Sequence, residues 1–163
     1  MENIQEIYIN LDDSGKLSNK EIVCVYGGII FTSKKQKDKF ITQYKSIIDD
    51  IKCHYCKVCN KVCPEIKNTN IKKSHKRRIM NYLKKYSICA LVIKNENVYN
   101  YIKNNKAAKG RFIDYSIRRL IKEIINKLIE EDVVNPNLPL KLIINIDQQA
   151  TKSNGYYNLR EGI

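Results

Sequence analysis

The chain has 163 residues, 43% of them hydrophobic, which is enough for one domain built on one hydrophobic core. Thirty Lys and Arg face 17 Asp and Glu, and a net charge of +13 calls for an anionic partner, nucleic acid first. The polar start, MENIQE, lacks the apolar stretch of a signal peptide, and no apolar run approaches the ~20 residues that cross a bilayer, so no membrane is expected and the protein is expected in the cytoplasm.

Residues 6–11 alternate around Ile7, Ile9 and Leu11 and predict a strand, closed by a turn at Asp12-Asp13-Ser14-Gly15. Residues 21–32 predict a second strand that can pair with the first as a hairpin, Gly27-Gly28 marking a bulge or a close approach. Ser33 and Gln36 have capping-box spacing and open a helix running to about Lys52. Its apolar face is Phe40, Tyr44, Ile47, Ile48 and Ile51. A cysteine-rich loop follows at 53–64, then a very basic helix over 71–86 and a strand over 87–93. Residues 95–105 are polar, with room for a short helix. Gly110 precedes a helix from about Phe112 to Glu131 that turns Ile113, Ile117, Leu120, Ile121, Ile124 and Leu128 inward. Asn135-Pro136-Asn137 and Pro139 break the chain. The apolar strand 140–146 ends at Asp147, and its near-continuous apolarity predicts a central strand covered on both faces. The order β-β-α-loop-α-β-α-β implies an α/β fold, a mixed sheet with flanking helices.

Carboxylates stand at two strand ends, Asp12 and Asp13 after the first strand and Asp147 after the last. If those strands lie side by side and point the same way, the carboxylates converge and need a cation, for which hard oxygen donors suit Mg2+ or Mn2+. The plainer reading is that Asp is common in turns, where it caps the backbone. Glu65 and Lys67 follow the cysteines; they can add a carboxylate and a phosphate contact, or be solvated. Asp114 reads as a favourable charge at a helix N-terminus.

Residues 72–78 carry five positive charges in seven positions, from Lys72, Lys73, Lys76, Arg77 and Arg78. That helix is the candidate surface for a nucleic-acid backbone, a solvated helix face being the alternative. Cys53, Cys56, Cys59 and Cys63 form C-x2-C-x2-C-x3-C before Pro64. Thiolates so spaced can hold a structural Zn2+, with His54 or His75 as substitutes. The spacing also equals that of an iron–sulfur run, and unmetallated thiols remain open. Cys24 and Cys89 fall in predicted strands and read as core.

The segments around DDSG and YGGIIF, then CPEIKNT, KGRFIDYSIRRLIKEI and LIINIDQQATKSNGYYNLREGI, resemble in order a bacterial and phage family known as domain of unknown function 3800. The resemblance covers nearly the whole chain. It implies a ribonuclease H-like fold with a divalent-metal nuclease-like site. Asp12 and Asp13 match the family's opening acidic pair, Glu65 and Lys67 its E-x-K element, and Asp147 its acidic residue after a central strand. Family members continue into a further strand and a helix with an Ala-Asp pair, so against them 1–163 is a single, C-terminally short domain with a Cys-rich insertion at 53–64. A missing last carboxylate would weaken metal binding, and a protein partner or a homo-oligomer could complete the sheet. Three functions follow: a metal-dependent nuclease acting on phosphodiesters; a non-catalytic nucleic-acid binder or phage-type inhibitor on the same fold; and a zinc-stabilised interaction module whose charge reflects an AT-rich genome.

Overall fold

A computed structural model of the chain describes residues 4–59 and 71–146, and of 54–59 the backbone alone. Four strands, β1 (Gln5–Ser14), β2 (Val23–Phe31), β3 (Ser87–Lys94) and β4 (Leu140–Ile146), form one sheet in the order β3-β2-β1-β4. β2 is antiparallel to both β1 and β3, while β4 lies parallel to β1 on its other side. The helices are α1 (Lys34–Cys59), α2 (Lys73–Leu83), α3 (Asn100–Asn104) and α4 (Lys106–Glu130). The expected mixed α/β sheet with flanking helices is what forms.

The strand alternation sorts the side chains into two cores. Ile7, Ile9 and Leu11 of β1 join Cys24, Tyr26 and Ile30 of β2 against Ile117, Ile121, Ile124 and Leu128 of α4. The intervening Tyr8, with Phe31, packs on the other face against Phe40 of α1 and Tyr82 of α2. Phe40 is the hub there. Its ring lies 5.1 Å from Phe31, 5.5 Å from Tyr82 and 4.9 Å, edge on, from Tyr86. Tyr82 donates to the Phe40 carbonyl or Gln43 Oε1, each at 3.2 Å, and Arg78 pairs with Asp50 at 2.7 Å, so α2 runs back along α1.

The start of α1 is as expected: Ser33 Oγ accepts from the Gln36 amide at 3.2 Å, and Gln36 Oε1 accepts from the Thr32 amide at 2.8 Å. Its end is not, for α1 continues through Cys53 to Cys59 rather than stopping near Lys52. No Gly or Pro interrupts 52–59, so nothing there forbids the helix. α4 begins at Lys106 rather than Phe112, because Asn105 caps it, accepting from the Ala108 amide at 3.0 Å. Gly110 therefore sits inside the helix.

β1 runs through Asp12 and Asp13 to Ser14, and Gly15 takes the turn at φ +79°. The connection back to β2 is pinned by Asn95, 2% exposed, whose Nδ2 donates to the Lys16 and Glu21 carbonyls at 2.9 and 2.8 Å. Gly28 is the close approach: a Cβ there would stand 2.2 Å from the Asn10 carbonyl oxygen. β4 is an edge strand among the described residues, correcting the expected central position. Lys141 and Asn145 face solvent, while Leu142, Ile144 and Ile146 are half-buried against the α4 side.

Candidate functional site

Parallel pairing brings β1 and β4 to the same end of the sheet. Leu11 stands level with Ile146 on one side and with Gly28 on the other. Asp12 follows, opposite Gly27 of β2, and is exposed. Its Oδ1 accepts from the Asp13 amide at 2.9 Å, which fixes the carboxylate and leaves its other oxygen outward. On the same face Asn145 donates to Asn10 at 2.7 Å, strapping β4 to β1 one step below Asp12. Gly27 carries no side chain, and a Cβ there would meet nothing within 4 Å. Asp12 thus sits on an open polar shelf with two amides beneath it.

Asp13 faces the other way. It pairs with Tyr26, which is 1% exposed, beside Cys24 at 0%. Burial pushes the Tyr26 hydroxyl well up, with the Cys24, Asp13 and Asp114 charges adding to it. Burial likewise raises the Cys24 thiol, and Asp13 and Glu21 add to that. Asp114 approaches the same group from α4, and burial raises its carboxyl against the opposing charge of Arg118 one turn on. The two acidic residues of the opening pair therefore do not share a site; the alternation of one strand separates them. Asp114 is two turns inside α4, so the helix-terminus reading is corrected. The signal for its position was its place at the margin of the apolar stripe, next to Ile113 and three residues before Ile117.

Glu65, Lys67, Cys63 and Asp147 lie outside the described residues, as do the side chains of Cys56 and Cys59. Among the described residues no group of three or more His, Cys, Asp or Glu is placed to hold a metal. Cys53 carries an exposed free thiol, whereas Cys24 and Cys89 are buried, as expected for core residues. The helical backbone at Cys53, Cys56 and Cys59 replaces the expected loop over that stretch. At 1.5 Å per residue, Cys53 and Cys59 are ~9 Å apart along the axis, beyond the span of one ion with ~2.3 Å Zn–S bonds. Holding both on one zinc requires the end of α1 to unwind.

The basic helix forms, and Lys72, Lys73 and Arg77 are exposed while Lys76 is half-buried. Arg78 is committed to Asp50, an ion pair that joins α2 to α1. On its core side α2 buries Tyr82, while Met80 is 51% exposed. A groove of about 310 Å³ opens at the opposite end of β1, lined by Gln5, Glu6, Ser33 and Val134 among others. Its carboxylate, Glu6, is taken up by hydrogen bonds from Tyr8 and Lys141, which hold it below the usual range. The groove is remote from the carboxylate shelf and adds nothing to it.

Set against protein-family models, curated proteins and solved structures, the chain finds no match.

Proposed function

We propose that this chain is a divalent-metal-dependent, nuclease-like protein of ribonuclease H-like fold that acts on nucleic-acid phosphodiesters at the shared end of β1 and β4. The observation that carries this reading is the parallel pairing of those strands. Leu11 is level with Ile146, the last residue of β4, and Asp12 and Asp147 are the residues that follow them in sequence. That is the condition under which carboxylates at strand ends converge. The sheet order, an antiparallel β1-β2-β3 set with β4 parallel to β1, is compatible with the ribonuclease H-like fold that the motif resemblance implies.

The donor set is hard oxygen: one exposed carboxylate with a free oxygen, flanked by two amides. It suits Mg2+ or Mn2+ once Asp147 and Glu65 complete it. A cation held there would supply the charge that activates water and steadies the leaving oxygen. Asp12 is pre-oriented by the Asp13 amide, the Asn10–Asn145 bond fixes the strand register, and the open space over Gly27 admits a phosphate. Lys67 with the exposed Lys72, Lys73 and Arg77 holds the nucleic-acid backbone electrostatically. Zinc on Cys53, Cys56, Cys59 and Cys63 would be a separate, structural role, open only to a chain in which the end of α1 has unwound.

The test is cleavage of labelled DNA and RNA with manganese or chelator by the parent and by three variants. Asp12→Asn and Asp147→Asn lose metal-dependent cleavage, while Asp13→Asn, which faces the opposite side of the sheet, keeps it. Cleavage that survives both of the first two substitutions overturns the site. A second reading rests on the basic surface alone, since the exposed Lys72, Lys73 and Arg77 can hold a nucleic-acid backbone without a metal. In that reading the protein binds nucleic acid, or inhibits a protein that does, without cutting, and the same assay shows retardation without cleavage.

A further inference from the structure

We propose that the outward face of α4 is a track for single-stranded nucleic acid, with Tyr115 as a stacking platform between phosphate-binding cations. The inference rests on the nucleic-acid reading above but not on catalysis, and it places the contact on the face of the sheet opposite to α2. Among the described residues the exposed tyrosines are Tyr99, Tyr101 and Tyr115, at 81%, 66% and 60%. All three belong to one short stretch of chain, from the N-cap of α3 to the first half of α4. The other described tyrosines are buried or half-buried, so exposure here is not a general consequence of a tyrosine-rich composition.

Helical periodicity sets the geometry. α4 buries Ile117, Ile121, Ile124 and Leu128, which leaves Tyr115 on the opposite face. Four residues before and after it stand Arg111 and Arg119, with Lys122 one turn further, all exposed. Between Tyr99 and Lys122 the chain carries seven Lys or Arg against one acid, Asp114. Asp114 is half-buried on the flank toward the sheet and does not neutralise the outer face. Among the described residues no carboxylate pairs with Arg111, Arg119 or Lys122, although Glu123 stands one turn from Arg119. Arg111 to Lys122 spans about 16 Å of helix.

Cations alone would suit any polyanion. An exposed aromatic ring between unpaired guanidinium groups selects a partner with accessible π-faces, which single strands offer and a duplex hides. A membrane surface would instead ask for apolar residues on this face, and the outward positions around Tyr115 are Arg and Lys. The occupant is therefore a flexible single strand whose bases stack on Tyr115 while its phosphates meet Arg111, Arg119 and Lys122.

Fluorescence anisotropy of labelled oligo-dT, oligo-U and a duplex, in chelator so that nothing is cut, tests this directly. Tyr115→Ala weakens both single strands by about 5- to 100-fold, the range expected from losing one base–aromatic stack, and leaves the duplex nearly unchanged. Tyr115→Phe retains binding. Arg111→Ala with Arg119→Ala lowers affinity and flattens its salt dependence. Lys73→Ala with Arg77→Ala on α2 is the comparison. Equal single-strand affinity in Tyr115→Ala, or a loss seen only with the α2 pair, overturns the track. Single-strand binding lost with Tyr115 in a protein that never cleaves leaves the track standing and removes the nuclease reading; absence of all nucleic-acid binding removes both. Because Tyr115 is exposed, an unchanged melting temperature verifies that each variant is folded.

Discussion

At the scale of single residues, Asp114 shows how a carboxyl that is unfavourable for the fold marks a place worth perturbing. Burial raises its pKa above the ordinary value, and Arg118 only partly offsets that. Between the ordinary value and the raised one, the folded chain therefore holds a proton that the unfolded chain has released. Stability contributed by the protonated form is complete below the ordinary carboxylate range and is lost as pH rises through the folded pKa. Asp114→Asn removes this loss. In thermal melts from about pH 3 to about pH 7, the variant and parent converge at the acid end, and the variant is the more stable at neutral pH. A variant less stable at neutral pH would mean that the pairing with Arg118 outweighs the cost of burial. Tyr26 feels the charges of both Asp13 and Asp114, so the measurement also reports on the polar cluster that β1 turns toward α4.

At the scale of elements, helices and strands were legible wherever one face is buried, and their ends were not. The apolar stripe of α4 is legible from Ile113 to Leu128, but the start expected near Phe112, just after the glycine, falls inside a helix that begins at Lys106. Gly110 costs the helix about 1 kcal/mol, which is less than the Asn105 cap together with Ala107 and Ala108 returns. α1 runs past its expected end because no Gly or Pro interrupts 52–59, so the cysteine spacing does not by itself stop the helix. β4 is an edge strand among the described residues yet apolar almost throughout, because Leu142, Ile144 and Ile146 meet the α4 core and Ile143 meets the aromatic core beside Tyr8. At the site, the sequence revealed the two strand ends but not which face Asp12 and Asp13 take, since that depends on where the strand stops. The two glycines give a paired test. Gly110→Ala, in open space on a helix, stabilises by about 0.5–1 kcal/mol, a rise of roughly 1–4 °C in melting temperature. Gly28→Ala, whose Cβ would meet the Asn10 carbonyl oxygen at 2.2 Å, loses about 3 kcal/mol or more. Opposite signs in one calorimetric series support both assignments; a stable Gly28→Ala would mean the β1–β2 register is wrong.

At the scale of the whole molecule, charge acts on stability and on binding in opposite directions. With a net charge of +13, the folded chain concentrates like charges that the unfolded chain can spread apart. Ion pairs such as Arg78–Asp50 and Lys127–Glu131 lie at the surface, where each contributes little. The basic residues of α2 and of α4 sit on opposite sides of the sheet, so the repulsion is not confined to one helix that could fray and relieve it. Salt shortens the range of this repulsion from ~10 Å at 0.1 M to ~3 Å at 1 M. The free protein should therefore melt higher as sodium chloride is raised over that range, while the logarithm of its affinity for nucleic acid falls linearly with the logarithm of salt as counterion release weakens. At low salt an oligonucleotide should raise the melting temperature more than the same rise in salt does, because it delivers its charge to the cationic faces. Differential scanning fluorimetry and anisotropy over one salt series read both slopes. A melting temperature indifferent to salt would mean that the excess lysines are too dispersed to repel, and would return the net charge to composition alone.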